Sequence, residues 1–102
     1  MTNFNDHYVM TIDGKSLEAD NTFEAYNPAT KETIANVPDA SKEQLDEAVA
    51  CARNAFKTWS TTPLAERQAA VAAIGQAIEN HAEEFMALLT KEQGKPRAGT
   101  EW

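Results

Sequence analysis

The stretch of sequence that decides the fold is TPLAERQAAVAAIGQAIENHAEEFMALLTKEQGKP, residues 62–96. Thr62 is a suitable N-cap, and Pro63 suits the first helical position because its missing N–H needs no partner there. Gly94 can adopt the left-handed conformation that ends a helix, and Pro96 prevents continuation. Apolar residues recur between these signals at steps of three and four, which predicts one long amphipathic helix over residues 63–93. They are Val71, Ile74, Ile78, Phe85 and Leu88, with Leu64 and Leu89 beside them.

This predicted helix is long for a chain of 102 residues. It would span about 45 Å at the usual rise of an α-helix, whereas a compact domain of about 100 residues has a radius of gyration of about 13 Å. We therefore expect the helix to bend or break near Gly75, or to be covered by residues outside this sequence. In the isolated chain, the apolar surface near Phe85, Leu88 and Leu89 is expected to stay exposed.

Two short β-hairpins are predicted before the helices. Residues 8–12 and 15–18 favour strands, and Asp13-Gly14 between them is a strong signal for a two-residue turn with positive φ. Residues 22–26 and 33–37 form the second pair. The turn between them begins at Asn27, because Pro28 disfavours a helical conformation of the residue before it.

A first helix is predicted from Ser41 to about Trp59. Ser41 at the N-cap and Gln44 three residues later make a capping box. The connector to the long helix, residues 60–63, is short, so the two helices are expected to pack as antiparallel neighbours. The predicted fold class is therefore α+β, with two hairpins followed by two helices. The apolar face of the first helix contains Leu45, Ala48, Val49, Ala52, Phe56 and Trp59.

Composition excludes several classes of function. The formal net charge is -7, and non-specific nucleic-acid binding requires a surplus of Lys and Arg. A single cysteine permits no internal disulfide, which fits a cytoplasmic location. The sequence has no apolar run long enough to span a membrane, and the polar residues 1–6 do not resemble a secretory signal peptide.

Few residues are candidates for chemistry. Cys51 lies in the middle of a helix without an evident activating partner, so we interpret it as a small packing residue. His81 is expected to be hydrogen-bonded at a packing interface rather than to bind zinc, and His7 to be solvated. No catalytic, cofactor-binding or metal-binding residue is predicted. The acidic side chains of the long helix are interpreted as solvated, and the glycines form no phosphate-binding motif. These residues are Glu79, Glu83, Glu84 and Glu92, and Gly14, Gly75, Gly94 and Gly99.

The order of several short motifs resembles the opening of the aldehyde dehydrogenase superfamily. FEAYNPAT at residues 23–30 is followed by Val37-Pro38, then by Ala52-Arg53 and Trp59, and the match closes on EQGKP at residues 92–96. The ordered matches extend from about residue 8 to the end of the sequence. The resemblance implies the N-terminal part of the α/β aldehyde dehydrogenase fold, with residues 1–20 as an arm and first hairpin and residues 21–102 as an incomplete domain.

The resemblance also implies NAD(P)+-dependent oxidation of an aldehyde to a carboxylic acid. In that family a cysteine thiolate attacks the carbonyl carbon, hydride leaves to the nicotinamide, a glutamate activates water, and an asparagine holds the oxyanion. These residues and the glycine-rich cofactor segment lie beyond the equivalent of Trp102, and Cys51 does not match the nucleophile. Ala25 matches a backbone position that binds a cation in some members, but the acidic partner also lies beyond this sequence.

Three functional hypotheses remain open at this point. The first is an N-terminal portion of an aldehyde dehydrogenase, inactive and without bound NAD or NADP by itself, whose partner is the rest of such a chain or a second copy bound through the long helix. The second is a free-standing helical-hairpin interaction module. The third is a small complete enzyme that uses Cys51.

Overall fold

The first β-hairpin is short and closes through a tight turn. The computed structural model describes residues 7–100, so the interpretations of residues 1–6 and of Trp102 lie outside it. Strand β1, Met10–Ile12, pairs antiparallel with β2, Lys15–Leu17. Asp13 and Gly14 between them have φ of 53° and 70°, and positive φ at both positions is what a type I′ turn requires. The predicted hairpin is confirmed, with strands shorter than expected.

The second hairpin forms a separate two-stranded sheet. Strand β3, Asn21–Tyr26, pairs antiparallel with β4, Thr33–Asp39. In the turn, the side-chain oxygen of Asn27 accepts hydrogen bonds from the backbone N–H groups of Ala29 at 2.9 Å and Thr30 at 3.3 Å. Asparagine thus fixes the start of the turn with its own side chain, as Asx turns do.

Helix α1, Lys42–Trp59, begins with the capping box that the sequence predicts. The hydroxyl of Ser41 accepts from the backbone N–H of Gln44 at 3.1 Å, and the Gln44 side chain accepts from the backbone N–H of Ser41 at 3.0 Å. Two of the N–H groups at the start of the helix are thereby satisfied reciprocally.

The expected break in the long helical region is confirmed, because the structure has two helices there. Helix α2 is Leu64–Asn80 and α3 is Ala82–Gln93, so the break is at His81 rather than near Gly75. Asparagine and histidine are poor helix formers, and acidic side chains in a first turn favour a new helix N-terminus. Asn80-His81 followed by Glu83 and Glu84 therefore explains the position of the break.

Of the two predicted ends of the helical region, the end at Gly94 is observed, and the N-cap at the start is a different residue. The N-cap of α2 is Pro63, not Thr62, whose hydroxyl instead donates to the carbonyl oxygen of Thr58 at 3.0 Å. Gly94 has φ of 67° and its N–H donates to the carbonyl oxygen of Thr90, which confirms the predicted end of the helix. A short 3-10 helix, Arg97–Gly99, follows and contacts α3.

The helices do not pack as the sequence suggests. α1 contacts the first hairpin, and α2 contacts α3 at their junction, but α1 and α2 make few contacts with each other, so the predicted neighbour packing is wrong. The radius of gyration is 16.7 Å, larger than the value of about 13 Å for a compact domain of this length. Among residues 7–100, Ile12 is the only large apolar residue that is buried. The α+β class itself is confirmed.

Candidate functional site

Cys51 lies half-buried at a groove between α1 and the β1–β2 turn. The groove has a volume of about 380 Å³. Thiolate nucleophiles are activated by a helix N-terminus or by a nearby basic group, and none of the described residues that line the groove is basic. The surroundings therefore favour packing rather than chemistry for this thiol. The lining residues are Thr11, Ile12, Asp13, Gly14, Ala48, Cys51, Ala52 and Ala55.

His81 joins α2 to α3 and is held by a neighbouring carboxylate. Its Nδ1 lies 2.9 Å from Oε1 of Glu84, and both side chains are partly buried. Glu84 is the third residue of α3, so the contact closes the helix junction over a single turn. Within residues 7–100, no three His, Cys, Asp or Glu side chains are grouped so that they could hold a metal ion.

Two of the other three acidic candidates have separate partners. Glu79 accepts a hydrogen bond from the side-chain amide of Gln76 at 3.3 Å, and Glu83 forms an ion pair with Arg97. Glu92 is exposed. An acid/base pair needs burial or convergence to adjust its pKa, and the recorded partners of these residues are an amide and a guanidinium. These carboxylates therefore act as surface groups and, at Glu83, as a tether for the C-terminal segment.

His7 is exposed, as expected, and it has a specific partner. Its Nε2 lies 2.9 Å from Oε1 of Glu18, which follows β2. Both side chains are largely exposed, and ion pairs of this kind contribute about 0–1 kcal/mol. The contact attaches the arm before β1 to the first hairpin without creating a reactive site.

The described residues do not fit a nucleotide cofactor by themselves. A pyrophosphate cradle needs a glycine-rich turn between a strand and the N-terminus of a helix. The junction between β4 and α1 carries Ser41 instead, and the capping box there already occupies the backbone N–H groups of Ser41 and Gln44. The glycines lie elsewhere: Gly14 in a hairpin turn, Gly75 within α2, Gly94 after α3 and Gly99 in the 3-10 helix.

A hydrogen-bonded cluster on the second hairpin was not recognised from the sequence. The hydroxyl of Tyr26 donates to Oε2 of Glu24 at 2.6 Å, and the hydroxyl of Thr33 donates to Oε1 at 3.0 Å. These two hydrogen bonds lower the pKa of Glu24, and the bond from Tyr26 has the larger effect. The hydrogen bond to Glu24 in turn raises the pKa of Tyr26. The alternation of β3, with Glu24 and Tyr26 two residues apart, is the signal that could have predicted this pair.

The most extensive feature is an apolar surface that α1 and α2 expose to solvent, called the α1–α2 surface below. It is not the surface expected near Phe85, Leu88 and Leu89, which are half-buried in α3, so that expectation is wrong. No helix within residues 7–100 is both long and apolar enough to span a membrane. The surface consists of Leu45, Val49, Phe56, Trp59, Leu64, Val71, Ile74 and Ile78, all of them exposed.

The two halves of this surface meet at the corner between α1 and α2. Trp59 at the end of α1 lines the same shallow groove as Leu64 and Val71 of α2, with a volume of about 510 Å³. Arg67 also lines it, and its Nε donates to the carbonyl oxygen of Thr62 at 3.0 Å, which fixes the base of the guanidinium. The structure thus joins two helical stripes that the sequence predicts separately.

Comparison with known protein families gives a match over nearly the whole sequence. The model of the aldehyde dehydrogenase family matches residues 16–101. The mitochondrial methylmalonate-semialdehyde/malonate-semialdehyde dehydrogenase (acylating) of Rattus norvegicus is 37% identical over 92 residues, which cover 88% of this chain and 17% of that protein. Malonate-semialdehyde dehydrogenase 1 of Geobacillus thermodenitrificans is 48% identical over 69 residues, which cover 68% of this chain and 14% of that protein.

Solved structures give the same result in three dimensions. An aldehyde dehydrogenase from Bacillus cereus, solved as a complex with NAD+, has a TM-score of 0.86 and 38% identity, over 92% of this chain and 20% of that one. A NAD-dependent benzaldehyde dehydrogenase from Corynebacterium glutamicum has a TM-score of 0.82 and 33% identity, over 88% of this chain and 20% of that one. The chain spans about a fifth of these relatives or less, which fits a portion of a larger fold and not a free-standing helical-hairpin module.

Proposed function

This chain belongs to the aldehyde dehydrogenase family, and from that premise we propose that it serves as the N-terminal structural segment of an NAD(P)+-dependent aldehyde dehydrogenase. In this proposal the segment supports an enzyme that oxidises an aldehyde to a carboxylic acid but does not catalyse the reaction alone. The observation that carries the proposal is the extent of the match, which covers residues 16–101 of this chain but only 17% of a complete relative.

The site geometry supports a structural rather than a catalytic role for this segment. Cys51, the one thiol, faces a groove without a basic side chain among its described lining residues. The first turn of α1, which follows a strand as a phosphate-binding helix would, is closed by its own capping box. The nucleophile, the general base and the nucleotide cradle are therefore assigned to the rest of the enzyme, which would bind NAD or NADP.

We also propose two finer points about this segment. Residues 21–102 form the start of the enzyme's domain, and residues 1–20 form an appended arm and hairpin. The location is cytoplasmic, a proposal supported by the single cysteine, which permits no internal disulfide. The word mitochondrial in the name of the Rattus norvegicus relative describes that protein. A fluorescent fusion of this chain, expressed in its own host, tests the location directly.

A chimera tests the main proposal. Residues 16–100 of this chain replace the matching segment of the Bacillus cereus aldehyde dehydrogenase, and reduction of NAD+ with aldehydes is followed by absorbance. We expect the chimera to retain NAD+-dependent oxidation, whereas the purified chain alone should show none with either NAD+ or NADP+. An inactive chimera would contradict the proposal. So would turnover by the chain alone that is lost in Cys51→Ser, because that result would support a small complete enzyme.

A further inference from the structure

We draw no further inference here: the strongest candidate, the groove of about 380 Å³ between α1 and the β1–β2 turn, offers a lone cysteine, Cys51, beside small residues of α1, and no second feature among its described lining residues points to a ligand.

Discussion

The side-chain nitrogen of Gln44 donates a hydrogen bond of 2.9 Å to the backbone carbonyl oxygen of Glu18. The oxygen of the same amide accepts from the backbone N–H of Ser41 at 3.0 Å. One side chain therefore closes the first turn of α1 and also ties that helix to the residue that follows β2. The amide oxygen of Gln44 therefore supports the start of α1, and its amide nitrogen supports the position of the first hairpin.

Gln44→Glu should separate these two roles. A carboxylate can still accept from Ser41, because glutamate is the usual partner in a capping box, but it cannot donate to Glu18. We expect unchanged helix content by circular dichroism, and faster amide hydrogen exchange in β1 and β2 corresponding to a loss of about 1 kcal/mol. Gln44→Ala, which removes both contacts, should also reduce the helix content. Unchanged exchange in Gln44→Glu would show that the hydrogen bond does not hold the hairpin.

Two glycines offer opposite tests of backbone conformation. Gly94 has φ of 67°, and a Cβ there would lie 3.3 Å from Cγ of Pro28. Gly94→Ala should therefore destabilise the chain by about 1–2 kcal/mol. A Cβ at Gly75, within α2, would have no neighbour inside 4 Å, so Gly75→Ala should stabilise the helix by about 0.5–1 kcal/mol. Thermal unfolding followed by circular dichroism measures both changes, and shifts of the same sign would contradict this account.

Local signals in the sequence predicted local structure well. The Asp13-Gly14 turn, the capping box of Ser41 and Gln44, and the stop at Gly94 are all observed, because each depends on residues that lie within a few positions of one another. The family resemblance also held, because it rests on the order of such signals. The break at His81 was missed for lack of a glycine or proline there, although the acidic first turn of α3 could have indicated it.

Which apolar face is covered could not be predicted, because that depends on contacts distant in sequence. The pattern of α1 gives a stripe through Val49 and Phe56, but the hairpin packs against the adjacent flank at Ala48 and Cys51. Phe85 was expected to be exposed and is half-buried, in a helix that contacts the 3-10 turn and α2. Amphipathic patterning identifies a face that can be buried, and only the assembled fold decides which partner covers it.

Ile12 and Val71 give a direct comparison of covered and uncovered apolar residues. Ile12 is 7% exposed and Val71 is 63% exposed. We expect Ile12→Ala to reduce the free energy of unfolding by about 2–4 kcal/mol, as deletion of buried methyl groups does. Val71→Ala should change it by less than about 0.5 kcal/mol in the isolated chain. Urea unfolding measures both, and a large loss in Val71→Ala would mean that the α1–α2 surface is already covered, for example by a second copy.

The hydrogen bonds on the second hairpin predict how Glu24 titrates. The bond from Tyr26, and after it the bond from Thr33, holds the pKa of Glu24 below its ordinary value. Folding lowers the pKa of Glu24, so its hydrogen bonds stabilise the folded chain fully at a pH above the pKa of the unfolded state. This stabilisation is lost as the pH falls through the pKa of the folded state.

Tyr26→Phe removes the larger of these two causes and keeps the ring, so it should raise the pKa of Glu24 toward its ordinary value. Thr33→Val should raise it by a smaller amount, because the Thr33 bond is the second cause. Nuclear magnetic resonance of the Glu24 carboxyl carbon during an acid titration measures each shift. A pKa for Glu24 that is the same in the wild-type and Tyr26→Phe chains would show that the 2.6 Å bond does not persist in solution.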